Sequence, residues 1–441
     1  MAAILLKNGL IVPMDGRHGS LRGSVLVEGN RIKEVGDVKE KGDAEIDCSN
    51  KIIMPGLIDT HIHLAQALLR GCADDLPLVQ WLNERVWPLQ SAYDPELGAL
   101  SAELCIAEML LSGTTTFLES GLHTKYGTDG IARVVERSGI RGFISKMLMD
   151  SPYYADHRMY EGMVEDKGEA MKEALRLFDR WNNSADGRIR VALAARTPGA
   201  CTPELYREIS ERTEALGTIA TLHFCEIRDD VSFLRKEYGT SPLEFLERCG
   251  LNNERMTLAH CVWFAPDDFR HLKANVAHCP SSNFKLGSGI APVKEMVDAG
   301  VNVTIGCDGA PCNNTYDMFR DVWLASIAQK ARLLDASALR AEDVLEMATT
   351  RGARALGIDA GSIAQGKLAD IITIDLKPHL VPVRDPVSAI VYCAKGSDVC
   401  DVLVDGRVIV ENRELKTIDV SRLMDRIEKK GLLPDRSLPI R

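Results

Sequence analysis

Two kinds of hydrophobic pattern alternate through the middle of the chain. Short apolar runs bounded by polar or glycine-rich loops, GTTTFLES, RGFISKMLMD, RIRVALAART, TIATLHFCE, RMTLAHCVW, NVAHCPSSN and VNVTIGCDG, predict buried strands. Between them lie stretches such as PELYREISERTEALG, APDDFRHLKA and APVKEMVDAG, which predict helices. Strand then helix, repeated about eight times, is the pattern of an α/β protein of the (β/α)8 TIM-barrel type. A doubly wound open sheet would alternate in the same way. No Gly-x-Gly-x-x-Gly follows the first strand, so a dinucleotide-binding version has no support.

The two ends read differently. AILLKNGLIV, SVLVEGNRIKEVGD and AEIDCSNKIIM are short β-rich runs broken by Gly, Asn or Asp, and DVLVDGRVIVENRE near the other end repeats the second of them. ADIITIDL precedes that repeat with period-two alternation. These segments predict one small β-sandwich domain built from both termini, residues 1–56 and 363–441, the latter closing on a helix. The barrel then occupies residues 57–362.

Composition narrows the class. A chain of 441 residues suits one large barrel with an appendage, and 45% hydrophobic with 26% charged residues is the balance of a soluble globular protein. No apolar stretch approaches the roughly 20 residues of a membrane span. MAAILLKNGLIVPMDG lacks a basic leader and meets Gly, Pro and Asp early, so it reads as a first strand rather than a signal peptide. Twelve cysteines with no C-x-x-C suit reduced thiols, and the expected location is cytoplasmic. A net charge of -10 argues against a nucleic-acid partner.

The chemistry sits at the strand ends. LIDTHIH carries His61 and His63, IATLHFCE carries His223 and Glu226, MTLAHC ends in His260, VAHC in His278 and VTIGCD in Asp308. In a barrel all C-terminal strand ends meet on one face, so these distant residues are expected to converge. A lone buried histidine is more often a hydrogen-bonded core residue than a ligand, but a converging group is not explained that way. His61 and His63, two apart on a strand, point to the same side. With a nitrogen from His223 and an oxygen from Asp308 they would hold one divalent metal, zinc ahead of iron, with room for a water. Such a metal lowers the pKa of its water to about 7. Glu226 would then move protons, His260 would hydrogen-bond the hydroxide or the developing oxyanion, and Asp308 would serve as ligand and proton acceptor together.

PGLIDTHIH, LHFCE, LAHCVW, SSNFKLGSGIAPV and CDGAPCNN, in this order and spacing, resemble the amidohydrolase superfamily. Within it they are most similar to the branch of S-adenosylhomocysteine and methylthioadenosine deaminases, guanine deaminase and the s-triazine hydrolases related to atrazine chlorohydrolase. The resemblance covers nearly the whole chain. It implies His61, His63, His223 and Asp308 as ligands of a single metal per subunit, Glu226 as proton shuttle and His260 as the residue that orients the attacking water. Binuclear relatives carry a carbamylated lysine on the fourth strand, and RIRVALAART has no lysine. The family also implies a small-molecule heterocyclic substrate, no membrane partner, and a homodimer or homotetramer.

The expected reaction is hydrolytic deamination of an aminated aromatic N-heterocycle, a purine or an adenosine-derived nucleoside, with release of ammonia. An s-triazine amino- or chlorohydrolase and a guanine- or pterin-type base deaminase are the alternatives. Lys146 and Arg158 match the basic residues that meet the amino-acid carboxylate in adenosylhomocysteine deaminases, or else are surface charges. Arg196-Thr197-Pro198 stands where nucleoside deaminases of this branch tend to place His-Ser-Pro for the ribose. An arginine there suits a carbonyl or carboxylate acceptor, and guanine deaminases show one in the corresponding segment. Gln66 would read a heterocycle edge, Trp87, with Trp81, would cover a flat ring, and Asn283 completes the expected substrate contacts.

Overall fold

The eight apolar runs, PGLIDTHIH included, form the eight strands of one parallel sheet. In chain order they are β1 (Leu57–Ile62), β2 (Thr114–Glu119), β3 (Arg141–Leu148), β4 (Ile189–Ala195), β5 (Ala220–Phe224), β6 (Met256–His260), β7 (Asn275–His278) and β8 (Val303–Ile305). The computed structural model describes residues 3–17 and 19–432. Each strand pairs with the next, so spatial order follows chain order, as right-handed β-α-β connections require. β1, β2 and β3 are buried at every position, which is why these runs are nearly continuous rather than alternating.

Closure happens where the chemistry lies. The Asp308 N–H donates to the His61 carbonyl at 2.7 Å, and a parallel bridge joins Ile62 to Asp308. Deeper in the seam the Thr60 hydroxyl meets Thr304 Oγ1 at 2.6 Å and the Ile305 carbonyl at 2.9 Å. Gly306 is required at this seam, because a Cβ there would lie 2.6 Å from His61 Cβ. The helices that cover the barrel include Pro95–Leu111, Thr128–Ser138, Lys167–Trp181, Pro203–Leu216 and Met318–Leu333. One expected helix, APDDFRHLKA, is instead a six-residue 3-10 segment, Pro266–His271, because Leu272 already turns extended and leaves too few residues for an α-helical ladder.

The termini do meet. Lys51–Pro55 pairs antiparallel with Ile371–Asp375, joining five strands from the N-terminal segment to four from the C-terminal one. By hydrogen bonding they make one continuous nine-stranded mixed sheet rather than two separately laddered ones. Leu6, Ile11, Val25, Ile53, Ile371 and Leu403 share its apolar cluster. The helix expected at the C-terminal end is Val420–Lys429. Among the described residues no helix is long and apolar enough to cross a membrane. All twelve cysteines are free thiols.

Barrel and sheet are tied by a buried ion pair. Arg141, at the start of β3, donates to Asp370 at 2.8 and 3.1 Å and to Asp405 at 2.9 Å, and all three side chains are nearly inaccessible. Removing the cation would leave two buried carboxylates facing each other. Arg141→Met is therefore expected to destabilise the protein by about 3–5 kcal/mol, read as a fall in the denaturation midpoint. A midpoint equal to the wild type would show that the pair contributes nothing.

Candidate active site

The strand ends bring the predicted residues into one buried pocket. His61 and His63 leave the end of β1, His223 that of β5, His260 that of β6, and Asp308 follows β8. His63 Nε2 and His223 Nε2 are 3.2 Å apart. Asp308 Oδ1 lies 3.3 Å from His63 Nε2 and 3.7 Å from His61 Nε2. His61, His63 and His223 form a group whose donor atoms lie close enough together to share one ion. Burial pushes all three imidazoles well below the ordinary histidine range, and the Arg196 charge adds to this at His63 and His223.

The ring orientations test whether a metal fits. His223 Nδ1 donates to the Arg196 carbonyl at 3.1 Å, so its Nε2 carries a lone pair. Ser120 Oγ lies 2.6 Å from His61 Nδ1 and accepts its proton in the tautomer that frees Nε2, an atom with no hydrogen-bond partner among the described residues. Lone pairs converging beside a carboxylate, inside a region that keeps imidazoles neutral, call for a cation among them. The donor set fits a divalent metal. A second grouping, His61 with His260 and Cys279, draws on the same His61 and competes with the first.

The proton-handling side lies next to it. Glu226 follows β5, is almost wholly buried, and places Oε2 at 3.6 Å from His260 Nε2. Burial raises its carboxyl above the usual range, with the Asp308 charge adding to the rise. His260 Nδ1 is 2.9 Å from Asn283 Oδ1, and Asp308 Oδ2 accepts the Ser282 hydroxyl at 2.6 Å. The backbone is held in unusual conformations here: His260, Cys261 and Asp308 have φ of 73°, 46° and 65°. Left-handed non-glycine residues cost energy, and their clustering at the strand ends matches the need to aim these side chains.

The expected substrate contacts fare unevenly. Arg196 is buried over the Trp87 ring, 5.8 Å from its centroid, and its Nη1 has no protein acceptor. Gln66 is buried with Oε1 unpartnered, while its Nε2 reaches Gln90 at 3.4 Å. Asn283 Oδ1 is engaged by His260 Nδ1, while its buried Nδ2 has no acceptor among the described residues. Lys146 is wholly buried, neither a surface charge nor a free cation, and donates to Glu165 and the Met147 carbonyl. Arg158 is exposed and pairs with Glu161. His278 ends β7 fully buried with neither ring nitrogen partnered, and stands outside the metal group. Trp81 and Trp87 are both buried, on a helix interrupted by a π-turn at Leu82–Val86.

Sequence reasoning missed three neighbours. Ser120 orients His61, and Tyr154 reaches Glu226 at 3.3 Å. Glu119 accepts from the Leu64 and Gly121 N–H groups, and its Oε1 sits 4.0 Å from His63 Nδ1. Burial pushes Glu119 up to about 8. Glu119 and Ser120 end the run GTTTFLES, as the other site residues end theirs, whereas Tyr154 lies on a two-residue strand with no such signal.

Residues 52–409 match the Amidohydrolase family, and the chain belongs to it. It is 40% identical over 416 residues to 5'-deoxyadenosine deaminase of Methanothermobacter thermautotrophicus, covering 93% of this chain and 94% of that one. It is 36% identical over 430 residues to 5-methylthioadenosine/S-adenosylhomocysteine deaminase of Pyrococcus abyssi, covering 96% and 97%. The crystal structure of an adenosine deaminase from Xanthomonas campestris with bound zinc superposes with a TM-score of 0.90 at 31% identity, over 97% of this chain and 98% of that one.

Proposed function

We propose that this protein is a metal-dependent deaminase of adenosine-derived nucleosides that uses one zinc ion per chain. The observation that carries the reading is the convergence of the His61, His63 and His223 ligand atoms with Asp308, beside the buried Glu226 carboxyl. The high identity to nucleoside deaminases along nearly the full chain supports the substrate class. A single ion is favoured because β4, IRVALAA, offers no lysine to bridge a second.

When bound, the metal makes a water nucleophilic at neutral pH. His260, with Nδ1 donating to Asn283, presents the Nε2 lone pair toward that water. Glu226 would take one proton from the water and deliver it to the ring nitrogen beside the carbon under attack, and Asp308 would take the second, from the hydroxyl then on that carbon, and pass it to the amine as the C–N bond breaks and ammonia leaves. Arg196, with no carboxylate partner among the described residues, offers its free Nη1 to an acceptor on the substrate, while the Trp87 ring backs the guanidinium.

Lys146 and Arg158 bear on the substrate tail. Both are already neutralised, by Glu165 and Glu161, which favours nucleosides with a neutral 5' substituent over one ending in an amino acid. In a panel read by ammonia release, 5'-deoxyadenosine and methylthioadenosine should exceed S-adenosylhomocysteine in kcat/KM by about 10-fold or more. Turnover of guanine or a chlorotriazine with none of the nucleosides would overturn the reading.

A further inference from the structure

Between β3 and the helix Lys167–Trp181 the chain forms a two-stranded hairpin, Tyr153–Tyr154 paired with His157–Arg158. Two successive tyrosines there have opposite fates. Tyr153 is 37% exposed, whereas Tyr154 is fully buried and places its hydroxyl 3.3 Å from Glu226 Oε2. That distance is long for an O–H donor, of the kind that tightens when a substrate seats. Burial holds the phenol well above its ordinary range, so it stays a donor.

The hairpin is fixed on both sides. Ala155 N donates to the Pro198 carbonyl at 2.9 Å, and Asp150 N and Ser151 N donate to the Ala200 carbonyl at 3.1 and 3.2 Å. Its backbone passes so close over the loop after β4 that a Cβ on Gly199, at φ 89°, would lie 2.5 Å from Ala155 N. On the other side Asp156 pairs with Lys236 at 3.0 Å and His157 with Asp229 at 2.8 Å, both on the helix Arg228–Tyr238. Asp230 of that helix accepts the Glu226 N–H at 2.7 Å. Donor and acceptor thus share one scaffold.

The two oxygens of Glu226 have different surroundings. Oε2 faces the Tyr154 hydroxyl and His260 Nε2, whereas no described residue donates to Oε1. We propose that Tyr154 is a positioning residue that holds Glu226 Oε2 as an acceptor and so makes Oε1 the oxygen that carries the proton. The inference rests on the reading of Glu226 as proton shuttle. As the water oxygen bonds to the ring carbon, one water proton moves to Oε1, which passes it to the adjacent ring nitrogen. The second water proton, left on the new hydroxyl, goes to the amine as the C–N bond breaks and ammonia leaves; the Tyr154 proton is never spent, and Glu226 ends ionised.

Tyr154→Phe removes one oxygen and keeps the ring. The loss of a hydrogen bond to a charged group should lower kcat by about 10- to 100-fold. KM should stay within about twofold, because the contact is made to the proton carrier and not to the substrate. Metal content and Tm should match the wild type, and Tyr153→Phe, on the exposed neighbour, should leave both constants unchanged. A kcat within about twofold of wild type overturns the assignment, as does a loss confined to KM or accompanied by lost metal or a lower Tm. If Glu226→Gln is inactive while Tyr154→Phe behaves as wild type, only the Tyr154 assignment fails. If Glu226→Gln stays active, the shuttle reading itself fails.

Discussion

Glu226→Gln is expected to keep its metal and lose ammonia release by about 10²- to 10⁴-fold, the usual contribution of a positioned acid–base group. Glutamine has the same shape, and its carboxamide oxygen still accepts from Tyr154, so the pocket needs no rearrangement. What disappears is the capacity to gain and lose a proton. The wild-type carboxyl is prepared for both: burial, and then the Asp308 charge, raise it above the usual carboxylate range. Since Glu226 stands outside the converging histidine group, elemental analysis of the variant should match the wild type. Full activity would remove it from the mechanism, and loss of metal would make it a ligand.

The barrel was legible because parallel strands covered on both faces leave short continuous apolar runs, and all eight runs appear as strands. The site was legible for a related reason. His61, His63, His223, His260 and Asp308 interrupt apolar strand ends, where an ionisable side chain has no packing purpose. Other features had no such contrast. Ser120 and Glu119 end a run that already contains three threonines, so their polarity carries little signal. Tyr154 lies on a two-residue strand too short for periodicity, and its burial depends on Pro198 and Gly199 at the end of another strand.

Lys146 shows the limit from the other side. A lysine on a strand is ordinarily exposed, and it is a carboxylate partner 19 residues later, Glu165, beyond the Tyr153–Arg158 hairpin, that lets this one be buried. The continuous sheet at the termini is similar. Its central pairing joins Ile53 to Thr373, and no local pattern encodes a partner that far along the chain. Asn283 was visible as a polar residue in SSNFKL, but its bond to His260 depends on how the short helix Pro280–Lys285 sits against the end of β6.

Asp308→Asn should release the metal while leaving the fold intact. Asp308 Oδ1 lies 3.3 Å from His63 Nε2, and as the proposed fourth ligand it would add a carboxylate oxygen to three neutral histidine nitrogens. An asparagine matches its shape and tolerates the left-handed φ of 65°, so the bridge to Ile62 that closes the barrel should survive. An alanine would also disturb that backbone and confuse ligand loss with unfolding. Because changing even the outer partners of a metal ligand typically costs 10- to 100-fold in affinity, replacing this ligand should weaken retention by at least about 100-fold. The measurement is metal content after dialysis against a chelator, with Tm of the metal-free proteins compared in parallel. Unchanged metal content would place Asp308 outside the ligand set, and leave its closeness to His260 Nε2, 4.0 Å from Oδ2, as its remaining route into the chemistry.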